Sequence, residues 1–334
     1  MKKLLTIVIP AYNSEQYLDK CLENMLDPIC PEVEILIIDD GSKDATGTIA
    51  DQYSLKHPEI VRVIHKENGG WGSGINLAIQ KSKGLFFKIV DADDWILENS
   101  LSKLLSILRG ASAEVDLVVT NYVEYALTEN HKDFHKVIPH IPRKELDFRN
   151  IFEKYPGKWQ VSVHSIAYRT EMLRKSGLVV NFRYYSDLEY KMIPLGSVRK
   201  ILVDDLYVTN YCRHEGQSVS MTGYQRHYQD FLKVVQALAK SYNYQRNNKA
   251  LRVLLKKEIL SLIVFAYYLL LHPCCVEKNP KTISDLRDFD AQLKKNSKYL
   301  YWKSFFCLRK KIPFILFWRI LRINVFKIAE VKNV

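Results

Sequence analysis

Short apolar runs of strand length recur through the front of the chain, each followed by polar punctuation and then by apolar positions at helical spacing. Leu5–Ile9 opens the series, and Val33–Ile38, Ile60–Ile64 and Leu85–Val90 follow. These runs are near-continuous rather than alternating, as expected of strands buried on both faces of a parallel sheet. Between them, Tyr17, Leu18, Cys21, Leu22 and Met25 mark a helix that Ser14 is placed to cap, and Pro28 and Pro31 punctuate its exit. Asp44–Lys56 reads as a second helix ending before Pro58, and a third runs to Lys81 after the glycine-rich stretch Asn68–Gly74. Leu97–Leu108 is a further amphipathic helix and Asp116–Asn121 a further strand. Strands alternating with helices at this pace predict a doubly wound α/β unit with a mostly parallel sheet. Glu124–Arg149 is polar and weakly periodic. Beyond it come a helix-like segment near Lys175, strand-like pieces at Lys200–Leu206 and Tyr207–Arg213, and a long helix from about Tyr224.

With 334 residues, 47% apolar and 26% charged, the chain can form one large or two modest domains. Its net charge of +12 is uneven: residues 251–334 hold 17 Lys/Arg against 6 Asp/Glu, +11, leaving +1 for the rest. That basic tail also carries Ile259–Leu271, apolar except for Ser261, and Ile312–Trp318. Basic residues interleaved with bulky apolar ones fit an anionic membrane surface, or else core helices with a solvated basic face. Neither run reaches the roughly 20 residues that span a bilayer, and nucleic-acid binding fits such apolar content poorly. Six dispersed cysteines, with Cys274–Cys275 the only close pair and no repeated CxxC, fit free thiols in a reducing compartment. The basic start Met1–Lys3 leads through a short apolar run straight into the first strand, which is not a signal-peptide pattern.

Four polar clusters follow strands: Pro10–Asn13, Asp39–Ser42, His65–Gly70 and Asp91–Asp94. Ligands of open α/β sheets bind beyond the carboxyl ends of the strands, so four clusters on that edge point to one crevice. Asp91, Asp93 and Asp94 crowd the mouth of an apolar strand, since unpaired carboxylates within a core are too costly. Convergent carboxylates suit a hard divalent cation, while Asp-rich sequence also makes turns and caps. Asp39 or Asp40 can accept from ribose hydroxyls or a base N–H. No Gly-x-Gly-x-x-Gly follows the first strand and no P-loop motif occurs, which counts against dinucleotide and P-loop ATP sites.

Thr6–Asn13, Ile37–Thr46, Asn68–Gly70 and Asp91–Trp95 together resemble the inverting nucleotide-sugar glycosyltransferases of family 2, over roughly residues 4–220. The resemblance implies the GT-A fold: a catalytic domain over residues 1–222, with a nucleotide-sugar-binding half (1–120) and an acceptor-side half (121–222), then a mainly helical, basic C-terminal region (223–334). It implies that Pro10, Ala11, Tyr12, Asn13, Asp39, Asn68, Gly69, Asn76, Asp91 and Ala92 line the donor pocket, Asp39 near the base. It further implies that Asp93 and His214 hold Mn²⁺ or Mg²⁺, and that Asp187 is the catalytic base, with Glu189 in support. Bland alternatives stand beside these: Asp187 as a helix cap, His214 as a structural histidine. The chain departs from the family pattern at Gly74–Ile75–Asn76, where many members carry an arginine. Trp71 is also unusual, and fits either a sugar platform or a packed aromatic.

The expected activity is metal-dependent inverting transfer from a UDP-sugar to a glycan acceptor, possible acceptors including lipid-diphosphate-linked ones, in capsule, exopolysaccharide or other cell-surface polysaccharide synthesis. The expected location is cytoplasmic, peripheral on the inner membrane face through residues 251–334, with no nucleic-acid partner. Transfer to teichoic acid or protein is the near alternative, and a non-catalytic glycan-binding protein of the same fold is a third. No Gln-x-x-Arg-Trp motif of processive synthases occurs, so single-residue transfer is expected.

Overall fold

The computed structural model describes residues 2–26, 30–126, 131–137, 143–149, 151, 161–214, 221–244, 249–271, 281–307 and 314–321. Cys274 and Cys275 lie outside these residues. Two compact units are formed, Met1–Glu215 and Gly216–Val334.

The first unit is built on a ten-stranded sheet. Its front half comprises β1 (Leu5–Ala11), α1 (Leu18–Leu26), β2 (Val33–Asp39), α2 (Thr46–Lys56), β3 (Val61–His65), α3 (Trp71–Lys81) and β4 (Phe86–Ile89). Strands β3-β2-β1-β4 lie in that order and all pair in parallel, as the apolar runs predict. β2 is buried along its whole length, and Glu34 within it is fully partnered: Thr6 Oγ1 (2.7 Å), the Lys83 amide (2.7 Å) and Arg62 all donate to its carboxylate.

The back half adds β5 (Trp95–Ile96), α4 (Ser100–Arg109), β6 (Val115–Ala126), β7 (His131–His135), β8 (Lys144–Asp147), β9 (Ile166–Arg169), α5 (Thr170–Lys175), α6 (Asp187–Met192) and β10 (Lys200–Arg213). β9 pairs antiparallel with both β4 and β6, and β10 runs parallel to β6. The two strand-like pieces expected at residues 200–213 are one bulged strand, whose register against β6 shifts around Tyr207. β7 and β8 form inside the weakly periodic segment that gave no strand signal: they sit at the sheet's margins, paired only to β6 and β10 among the described residues, and need no apolar run.

Four helix starts differ from expectation: α4 opens at Ser100 rather than Leu97, and the three helices of the front half shift as well. α1 begins at Leu18, and the Ser14 hydroxyl donates back to the Tyr12 carbonyl (3.3 Å) instead of capping. α2 begins at Thr46 because Asp44 is a turn residue, its carboxylate accepting from the Thr46 amide (3.0 Å) and hydroxyl (2.6 Å). α3 begins inside the glycine-rich stretch, at Trp71.

The second unit is helical: α7 (Met221–Tyr244, kinked at His227), α8 (Lys249–Leu271), α9 (Thr282–Asn296), α10 (Lys298–Ser304) and α11 (Phe314–Leu321). Buried Arg319 ties it together, donating to Asp290 (2.6 Å), the Tyr301 carbonyl (2.8 Å), Ser304 Oγ (3.0 Å) and Tyr267 OH (2.6 Å). Ile259–Leu271 therefore belongs to a core helix, with Ile263, Ala266, Tyr267 and Leu270 buried. Among the described residues no helix is long and apolar enough to cross a membrane.

Candidate active site

The parallel strands deliver their polar clusters to one sheet edge, where the loops are laced together. Asn13, in the left-handed region (φ 50°), donates its amide to Ser42 Oγ (3.1 Å), and its side-chain oxygen accepts from the Lys43 amide (2.8 Å). Pro10 and Ala11 end β1, while Tyr12 projects from the same loop with an exposed ring. Asp39, buried at the end of β2, accepts from the Ser42 amide (3.0 Å) and faces His65 Nδ1 (2.8 Å). Burial works to raise its pKa, but the hydrogen bonds from Ser42 and His65 outweigh it and hold the carboxyl below its ordinary value. His65 in turn is raised, first by its hydrogen bond to Asp39 and next by that to Asp51.

Asp40 has a different task. Its buried carboxylate accepts the amides of Gly69 (2.9 Å) and Gly70 (2.7 Å) and the Lys66 ammonium, while Asn68 donates to its carbonyl (2.8 Å). Gly41 (φ 73°) is needed where the chain turns under this loop, since a Cβ there would stand 2.9 Å from the Asn68 nitrogen. Gly70 (φ 84°) is held against Arg183, whose Cγ would meet a Cβ at 2.7 Å and whose guanidinium donates to Asn68 Oδ1 (2.6 Å). An arginine thus does reach the glycine-rich loop, from far along the chain rather than from α3. Asn76 is placed otherwise: both ends of its carboxamide pair with the Val180 backbone (2.8 and 3.0 Å), clamping the segment ahead of α6.

The acidic cluster sits just past β4. Asp91 accepts from Trp71 Nε1 (2.8 Å), so Trp71 orients a cluster carboxylate and also meets Tyr190 edge-on. Burial, then the charges of Asp94 and Asp93, push the Asp91 pKa up to about 7. Asp93 meets His214 Nε2 at 2.9 Å across 121 residues of sequence, and His214 stacks on Tyr17 at 5.2 Å. The predicted pair is therefore brought together. Asp94 is the most enclosed of the three: one oxygen accepts from the Cys212 amide (2.8 Å), and the other is buried with no aligned hydrogen bond among the described residues, 3.0 Å from His164 Nδ1. Ala92 is buried between them. Beneath lies Lys88, 1% exposed, donating to the His164 carbonyl (2.7 Å). Burial lowers its pKa to about 7 against the opposing pull of Asp94.

Asp187 is the first residue of α6, following Ser186, whose side chain makes no capping bond, and Tyr185, a buried aromatic held at φ 59°. Such backbone strain in a bulky residue persists only where the surroundings impose it. Burial raises the Asp187 pKa, opposed by Lys191 and His164, which makes its carboxylate a stronger proton acceptor. Glu189 is spent elsewhere: it accepts from the Asn181 amide (2.9 Å) and holds the same segment that Asn76 clamps.

The donor set at this edge fits a divalent cation. Carboxylate oxygens with imidazole nitrogen suit Mn²⁺, with oxygens alone suiting Mg²⁺. Among the described residues one buried Asp94 oxygen has no hydrogen bond, and ligand atoms of Asp91, Asp94 and His164 all lie within 4.8 Å of one another.

The profile of glycosyl transferase family 2 matches residues 6–177. The chain belongs to this family. It is thus a metal-dependent inverting glycosyltransferase of the GT-A fold. Among curated proteins, glycosyltransferase GlyG of Streptococcus pneumoniae serotype 4 (strain ATCC BAA-334 / TIGR4) is 30% identical over 224 residues, covering 65% of this chain and 73% of GlyG. Glycosyltransferase GlyA of the same strain is 31% identical over 149 residues, 45% of this chain but 21% of GlyA. Among solved structures, residues 1–349 of S. aureus TarS in complex with UDP-GlcNAc share the fold at a TM-score of 0.64 and 19% identity, covering 87% of this chain and 81% of that one.

Several residues of this family 2 site gave no functional signal in sequence. His65 stood in a polar cluster without a role, and His164 lies in an unremarkable Ser-Val-His-Ser run. Lys88 did leave a trace: a lysine in the middle of an apolar strand demands a buried partner.

Proposed function

We propose that this enzyme transfers a single sugar from a UDP-sugar, with inversion, to a bacterial surface acceptor. We take teichoic acid or protein as the first reading of the acceptor. A growing capsule or exopolysaccharide glycan, including a lipid-diphosphate-linked one, is the second reading. UDP is the preferred nucleotide because TarS of the same fold carries UDP-GlcNAc. The observation that carries the reading is the 2.9 Å approach of His214 to Asp93 beside Asp91 and Asp94 just past β4, with Asp187 heading α6.

In this reading Asp187 removes the proton from the acceptor hydroxyl as its oxygen attacks the anomeric carbon, opposite the departing diphosphate. Asp93 and His214 would hold Mn²⁺ or Mg²⁺, which when bound offsets the negative charge of the leaving group. Asp40, Arg183 and Asn68 fix the glycine-rich loop, and Trp71 fixes Asp91. A panel of UDP-sugars assayed for UDP release with Mn²⁺, Mg²⁺ or EDTA tests this, with the product's anomeric configuration read by NMR. Metal-dependent release and an inverted linkage are expected. Release from no donor would favour the non-catalytic glycan-binding reading.

We also propose peripheral attachment to the cytoplasmic membrane face. On α10 Trp302 (56% exposed) and Tyr299 project near Lys298 and Lys303, and Phe306 (77% exposed) follows. Aromatics beside lysines are what a lipid interface takes. Co-sedimentation with phosphatidylglycerol vesicles should fall in a Trp302→Ser, Phe306→Ser variant; equal sedimentation would remove the claim.

A further inference from the structure

We propose that His164, together with Asp91 and Asp94, ligates a divalent cation, a donor set distinct in its residues from the Asp93–His214 pair. The inference rests on the metal-dependent reading and names ligands that it does not.

Three features of the chain make the set. First, each carboxylate keeps one oxygen for an ion. Trp71 Nε1 takes Asp91 Oδ1 (2.8 Å) and the Cys212 amide takes Asp94 Oδ1 (2.8 Å). Second, Asp94 Oδ2 is buried on a residue 1% exposed and, among the described residues, has no hydrogen-bond partner, although His164 Nδ1 stands 3.0 Å away. A buried carboxylate oxygen left in that state is costly unless something charged completes it. Close approach of two donor atoms without hydrogen-bond alignment is the arrangement expected of ligands facing a shared ion. Third, His164 is built in rather than merely nearby. Its carbonyl accepts from Lys88 Nζ (2.7 Å) and Thr209 Oγ1 (3.0 Å), and its ring stacks on Tyr211 at 4.3 Å. Such support fixes ring orientation, as the surroundings of metal-bound imidazoles commonly do.

A neutral imidazole and two carboxylates around a divalent ion leave the set with no net charge, which suits so enclosed a place. Lys88 donates to the His164 carbonyl and also lies within electrostatic reach of Asp94.

The test uses the full chain and Mn²⁺ alone, with electron spin echo spectroscopy to detect ¹⁴N coupling from a ligating imidazole. His214→Ala should retain ¹⁴N coupling, and His164→Gln should bind Mn²⁺ at least tenfold more weakly. Loss of all coupling in His214→Ala, or wild-type Mn²⁺ affinity in His164→Gln, would overturn the assignment while leaving metal dependence intact. Failure of the wild type to bind Mn²⁺ would overturn both. Should His164→Gln not fold, by its circular-dichroism melt, the His214→Ala spectrum decides alone.

Discussion

Removing the Asp40 carboxylate is expected to loosen the glycine-rich loop and cost a large share of the stability of the first unit. The carboxylate accepts two backbone amides, those of Gly69 and Gly70, and an ammonium, that of Lys66. Asp40→Ala leaves the Gly70 amide without its buried partner, roughly 1–3 kcal/mol. Breaking a buried ion pair from one side costs about 3–5 kcal/mol by itself. These terms share one residue and do not add, so about 3–5 kcal/mol in total is expected. Asp40→Asn keeps one acceptor oxygen and should cost about half as much. Against a usual total of roughly 5–15 kcal/mol this is a severe loss. Urea unfolding followed by fluorescence measures it, with the slope checked so that a change of midpoint reports stability. An Asp40→Ala midpoint equivalent to less than about 1 kcal/mol of destabilisation would refute the reasoning and return Asp40 to the ligand-facing role that the sequence left open.

Trp71→Phe keeps an aromatic side chain but removes the donor to Asp91. Mn²⁺ affinity by calorimetry should fall about tenfold or more, and an unchanged affinity would show that Asp91 needs no such orientation. His65 gives a pH signature. Its folded pKa is raised above the ordinary value by Asp39 and Asp51, while Asp39 stays ionised throughout the window. The stabilisation is therefore complete below the unfolded value of about 6.5 and is lost as pH rises through the higher folded value. The gap in melting temperature between wild type and His65→Gln should be widest near pH 6 and close toward pH 9; a gap that widens with pH would reverse the assignment.

The parallel half of the sheet was legible because its strands are buried on both faces and announce themselves as apolar runs. β7 to β9 were not, since they are short and their pairing is decided by neighbours distant in sequence. The same division holds in the site. Asp91, Asp93 and Asp187 lie in compact motifs, and the fold places His214 against Asp93. The division of labour between Asp39 and Asp40, the Trp71 contact and the burial of Asp94 against His164 each depend on one hydrogen bond or approach between distant segments. Arg183 illustrates the limit well. A missing arginine in α3 was visible as a departure, but which residue would come to the glycine-rich loop depended on the Asn76–Val180 clamp.

Inverting transfer requires Asp187 to accept a proton at the head of α6, and the transfer rate measures that step directly. With the active donor and Mn²⁺ saturating, Asp187→Asn should lower the transfer rate by about 10²–10⁴-fold and leave donor affinity essentially unchanged. Transfer at the wild-type rate by that variant would contradict the mechanism, however well the rest of the crevice binds its nucleotide sugar.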